Sequence, residues 1–156
     1  MIATGKAHRE YLAIEGGSAG GFTTLACLCF TDVFGVGACR YAVSDLQAMV
    51  KDTHRFEAGY LDHLLGTYSV ARQKYLDRSP LNHVEKITSP VIFFQGLKDK
   101  VVLPDQTERI AAVLNKKDIP VEVQTFADEG HGFRDGKVRI KVLEDTEKFF
   151  RKHLSL

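Results

Sequence analysis

The chain of 156 residues has no tryptophan, only four prolines and three cysteines, and almost no excess of one charge. An odd, low cysteine count argues against a disulfide framework and fits a reducing, cytoplasmic compartment. Cys27-x-Cys29 is not a zinc spacing, and within its apolar run it reads as a pair of buried thiols. Lys and Arg number 21 against 20 Asp and Glu, a formal charge of +1. That balance provides no electrostatic footprint for nucleic acid or an anionic membrane. No stretch approaches the roughly 18 uncharged apolar residues of a membrane span. The first ten residues carry Lys6, His8, Arg9 and Glu10 and lack the apolar centre of a secretory signal.

What is present is ordinary globular material: 44% hydrophobic residues and ten phenylalanines. A chain of this size buries about 68–70% of the surface its unfolded form exposes, so one domain over 1–156 can hold a core. Strand-like and helix-like segments alternate, which predicts an α/β fold with a mostly parallel sheet and helices on both faces. Strands are expected at 11–15, 33–38, 91–95 and 121–126. The run Val91-Ile92-Phe93-Phe94 is apolar throughout, as in a central strand covered on both sides. Glu122 and Gln124 alternate with Val121 and Val123, which predicts a wetter strand at an edge. Helices are expected at 22–30, through much of 44–68, at 104–115 and at 138–153. Pro104 and Asp105 suit a helix start. The last helix carries an amphipathic stripe through Val142, Thr146, Phe149 and Phe150.

Gly16-Gly17-Ser18-Ala19-Gly20 fits G-x-S-x-G between an expected strand and an expected helix. That context is what a nucleophile elbow requires. A sharp turn lifts the serine, and small residues at 16 and 20 let strand and helix approach. The helix N-terminus points its free N–H groups at the site, so the N–H of Ala19 is a candidate oxyanion donor. The competing reading is a glycine-rich turn with a capping serine. A serine nucleophile needs a base and an orienting acid, in the order Ser, acid, His for this type of elbow. Asp99 follows the central strand in Gly96-Leu97-Lys98-Asp99. His131 follows the fourth strand in Glu129-Gly130-His131-Gly132-Phe133. Ser18, Asp99 and His131 thus all fall after the C-terminal ends of strands, where open α/β sheets place their sites. Asp105 reads instead as a first-turn helix residue, Asp128 and Glu129 as loop charges, and His8, His54, His63, His83 and His153 as surface or structural histidines.

GGSAGG, SDLQAMVKDTHRFEAGYLDHLLG, FFQGLKDKVVLPDQ and EGHGF, in that order from Tyr11 to Leu154, resemble the catalytic α/β-hydrolase domain of the prolyl oligopeptidase family of serine peptidases, in its acylaminoacyl-peptidase and dipeptidyl-peptidase-like branch. The resemblance implies Ser18 as nucleophile, Asp99 as orienting acid and His131 as general base. It implies Val102 beside the pocket for the substrate side chain, with Phe56 and Tyr60 from the helical segment after Ser44 as further walls. It implies short or N-blocked peptides as substrates and neither metal nor organic cofactor. Family members resemble a β-propeller joined to a hydrolase domain, and no propeller-like run of strands occurs here. The elbow normally follows the fifth strand of about eight, whereas here it follows the first. The chain therefore resembles a truncated α/β-hydrolase of about four strands, with the loop for a second oxyanion donor outside it. An elbow strand with an open edge is expected to associate, as a homo-oligomer or with a companion chain. A small esterase on the same scaffold, or a catalytically silent module held by such association, remain alternatives.

Overall fold

A computed structural model describes residues 2–52 and 58–156. Four strands, β1 (Ala13–Gly17), β2 (Val36–Arg40), β3 (Val91–Gly96) and β4 (Val121–Phe126), form one sheet in the order β1-β2-β3-β4. Every neighbouring pair is parallel. Among the described residues six α-helices surround it: α1 (Ala19–Phe30), α2 (Leu46–Asp52), α3 (Ala58–Leu65), α4 (Tyr68–Arg78), α5 (Pro104–Lys116) and α6 (Gly136–Leu154). A 3-10 segment, Pro80–Lys86, leads into β3.

Successive strands advance in one direction, so right-handed crossovers place their connections on one face. Leu25 and Leu28 of α1, Ile110 and Leu114 of α5, Val84 of the 3-10 segment and Ile87 just after it share a core with Cys39, Val91 and Phe93. The other face belongs to α6, whose Val142, Phe149 and Leu154 pack on Val36, Ala38, Ile92 and Phe94. All six residues of β3 are buried, as its unbroken apolar run predicted, while β4 lies at an edge with Val123 exposed. A third cluster of Val43, Leu46, Met49, Leu65, Tyr75 and Val102 sits between the β2–β3 connection and the loop after β3.

The sequence placed the first two strands early. β1 begins at Ala13 and runs through Gly16 and Gly17 to the residue before Ser18; β2 extends through Cys39 and Arg40. Glycine is disfavoured in strands, so composition alone ended β1 too soon. Helix α1 begins at Ala19, immediately after Ser18, rather than at Phe22. The region after Tyr68 holds α4 and the 3-10 segment, for which no element was expected.

Candidate active site

Ser18 occupies the junction between β1 and α1 with φ 56° and ψ −120°. A positive φ is uncommon for a residue with a side chain and persists only where its surroundings enforce it. Here the Ser18 N–H donates to the Arg40 carbonyl at 3.0 Å, and the Ser18 carbonyl accepts the Phe22 N–H at 3.0 Å. The turn is thus tied to β2 on one side and to the helix on the other. The Ser18 hydroxyl makes no capping bond to α1, which removes the capping-serine reading.

The small residues at this turn are not the pair expected. A Cβ on Gly16 would lie 2.2 Å from the Gly20 carbonyl oxygen, and one on Gly21 would lie 2.5 Å from the Ala42 Cβ. A Cβ on Gly20 would meet nothing within 4 Å. A Cβ on Gly17 would lie 2.9 Å from the Tyr41 ring, so close approach involves Gly16, Gly17 and Gly21, and position 20 has space for a side chain.

Asp99 lies in the loop after β3, its side chain 0% exposed. Its Oδ1 accepts the N–H groups of Val101 at 2.8 Å and Val102 at 3.0 Å. Its Oδ2 lies 2.8 Å from His131 Nδ1. A buried carboxylate needs such partners, because an unpaired one is expensive to desolvate. Deeper still, Gln95 Nε2 donates to the Val102 carbonyl at 3.3 Å, and Thr107 Oγ1 donates to Gln95 Oε1 at 2.9 Å, tying the loop to β3 and α5.

His131 follows β4 between Gly130 and Gly132, the latter at φ 87°. Its Nε2 lies 2.9 Å from Ser18 Oγ. With the ring proton assigned to Nδ1, where the buried carboxylate accepts it, Nε2 is free to accept the Ser18 hydroxyl proton. The Tyr41 ring packs on the imidazole at 4.7 Å and on Phe133 at 5.0 Å. Tyr41 was not singled out in the sequence. It follows β2 on the same rim of the sheet as the three candidates, and that position was the available signal.

Glu129 is not a loop charge. It is buried, and its two carboxylate oxygens accept backbone N–H groups further along the same loop. Asp128 is an exposed loop charge that pairs with Lys98, which holds its carboxyl below the usual range. Asp105 sits in the first turn of α5, as expected.

A cavity of about 550 Å³ opens at Ser18 and Ala19. Phe22, Leu46, Met49, Leu61, Leu65 and Val102 give it an apolar lining, and Tyr60 and Arg78 also contribute to its wall. This is the size of a typical small-ligand site. Val102 and Tyr60 both lie in this wall, whereas Phe56 lies outside the described residues. The helical segment after Ser44 is expected to supply walls, but Leu46 and Met49 of α2 and Leu61 and Leu65 of α3 are not individually distinguished by sequence, because helix packing explains them equally well. Among the described residues no group of three His, Cys, Asp or Glu is placed to hold a metal. Burial pushes the Cys29 thiol up to about 12 and raises Cys39 as well, so neither is a thiolate at neutral pH. No helix among the described residues is long and apolar enough to cross a membrane.

The sequence model of the prolyl oligopeptidase family matches residues 1–156, the entire chain. The chain belongs to the prolyl oligopeptidase family. Dipeptidyl peptidase family member 6 of Caenorhabditis elegans is 33% identical over 160 residues, covering 98% of this chain and 22% of that protein. A crystal structure of puromycin hydrolase superposes with a TM-score of 0.95 at 35% identity, covering 99% of this chain and 24% of that one. A puromycin-hydrolyzing peptidase of Mycobacterium tuberculosis gives 0.95 at 42% identity, covering 98% and 23%. The chain thus spans about a fifth to a quarter of the length of these prolyl oligopeptidase-family relatives, and its four strands match part of an α/β-hydrolase.

Proposed function

We propose that residues 1–156 form one part of an α/β-hydrolase domain and carry the reacting residues of a serine peptidase. Ser18 Oγ attacks the scissile carbonyl carbon while its proton passes to His131 Nε2. Asp99 holds the imidazole in the required tautomer and stabilises the imidazolium. The N–H of Ala19, at the start of α1, faces the developing oxyanion. The C–N bond then breaks, His131 returns the proton to the leaving amine, and an acyl-enzyme remains on Ser18. Water, deprotonated by His131, releases the acid and restores the hydroxyl. The observation that carries this reading is the pair of contacts on one imidazole, 2.8 Å to Asp99 and 2.9 Å to Ser18.

The apolar cavity supports a hydrophobic substrate side chain seated against Val102 and Tyr60. Two solved relatives are named for hydrolysing puromycin, which supports small amides, such as short or N-blocked peptides, as the substrate class. An ester uses the same triad, and a panel of paired amide and ester substrates separates peptidase from esterase. β1 pairs only with β2 among the described residues, which supports coverage of its outer edge by a second copy or a companion chain. Sedimentation velocity tests that, with a stable monomer as the contrary result.

A fluorophosphonate probe tests the chemistry. Ser18 is expected to be labelled, and Ser18→Ala to lose labelling and about 10⁶-fold in turnover. Absence of labelling in a folded sample overturns the peptidase reading in favour of the silent module.

A further inference from the structure

Outside the three residues already assigned, Glu129 is a buried carboxylate close to His131 in the chain. It is 6% exposed, two residues before His131. Its carboxylate faces backbone rather than a cation. Oε2 accepts the Arg134 N–H at 2.7 Å, and Oε1 accepts the Asp135 N–H at 2.8 Å. These bonds close a ring from 129 to 135 with His131 inside it. The backbone of Glu129 works in the opposite direction: its carbonyl accepts the Lys98 N–H at 2.9 Å, from the loop that carries Asp99. A Cβ on Gly96 would lie 2.4 Å from that same carbonyl oxygen, so the two loops are in close contact there.

The histidine needs this support because its own neighbours provide little. Gly130 and Gly132 have no side chains, and glycine is the most permissive backbone. The remaining anchor is Phe133, which is buried against Tyr41 at 5.0 Å and Phe126 at 5.1 Å. A carboxylate suits the clamp better than an amide, since both its oxygens accept. Glutamine would present one NH₂ group to a backbone N–H, donor against donor. We infer that Glu129 is a positioning residue: it fixes the loop of His131 and joins it to the loop of Asp99, so that the imidazole stays between Asp99 and Ser18. This rests on the triad reading only for its catalytic consequence.

The test compares wild type, Glu129→Gln and Glu129→Asp by proton NMR and by kinetics on a peptide p-nitroanilide. In wild type the His131 Nδ1–H, bonded to a buried carboxylate, is expected as a far-downfield resonance that Asp99→Asn removes. Glu129→Gln is expected to broaden or abolish it while circular dichroism remains native. Its kcat falls by about 10²-fold, the effect of a misplacement near 1 Å, with little change in KM. Glu129→Asp keeps both acceptors on a shorter stem and is expected to retain a weakened resonance, which keeps the inference testable if Glu129→Gln unfolds. An unchanged resonance in either folded variant, its absence in wild type, or a change confined to KM overturns the inference. The NMR measurement needs no turnover, so an inactive wild type would refute the peptidase reading and leave this one to be judged by the resonance.

Discussion

Gly16→Ala is the smallest perturbation that tests how the elbow is built. The added Cβ would stand 2.2 Å from the Gly20 oxygen, 2.3 Å from its carbonyl carbon and 2.9 Å from the Gly21 nitrogen. All three are backbone atoms of the first turn of α1, so no side chain can swing aside. Restoring a separation of 3.0 Å from 2.2 Å requires the helix to retreat by about 0.8 Å. Overpacking of this kind costs about 1–3 kcal/mol, and each kcal/mol lowers Tm by roughly 2–4 °C in a chain of this size. The same retreat draws Ser18 away from His131, now 2.9 Å distant. A displacement near 1 Å in a reacting group costs about 10²-fold in rate. Fluorophosphonate labelling rate and thermal unfolding measure the two effects. Gly20→Ala is the control. Its Cβ enters open space, and alanine is favoured over glycine within a helix by up to about 1 kcal/mol. It is expected to label at the wild-type rate with unchanged or slightly raised Tm. Wild-type labelling and stability in Gly16→Ala, or equal damage in Gly20→Ala, would refute the argument.

That contrast also marks what the sequence could reveal. The fold class was legible because β3 is apolar at nearly every position and because strand and helix patterns alternate. The candidate residues could be picked out because Ser18, Asp99 and His131 each follow a strand, and a parallel sheet brings such ends to one rim. Their mutual distances were not legible, since these depend on sheet register and loop hydrogen bonds. Nor was the division of labour among glycines: G-x-S-x-G weights positions 16 and 20 alike, whereas the close contacts fall at 16, at 17 against the Tyr41 ring and at 21 against Ala42. Glu129 was misread for a related reason. A charged residue beside glycines looks solvated until its carboxylate is found facing two backbone donors. The segment holding α2 and α3 could be expected to wall a pocket, but which of its apolar residues do so was hidden, because one apolar pattern serves both a core and a pocket.

Two further predictions concern charge. Asp99→Asn keeps the shape of the buried side chain but favours the wrong imidazole tautomer; kcat is expected to fall about 10⁴-fold with secondary structure intact, and a fall below tenfold would refute the assigned role. His153, in the last turn of α6, packs its ring on Phe149 at 4.4 Å, and its Nε2 is buried without a hydrogen-bond partner. A helix C-terminus favours the imidazolium, yet burial first and Lys152 second lower its pKa from 6.5, with Glu122 opposing them. The unfolded chain therefore takes up this proton at a higher pH than the folded one. The contribution of His153 to stability is complete above 6.5 and declines as pH falls through the interval below it. Urea midpoints measured from pH 7 to pH 5 are expected to decline less steeply in His153→Leu than in wild type, because the variant has no proton to bind there. Equal slopes, or an NMR titration of His153 at or above 6.5, would show that the buried face of α6 does not disfavour the charge.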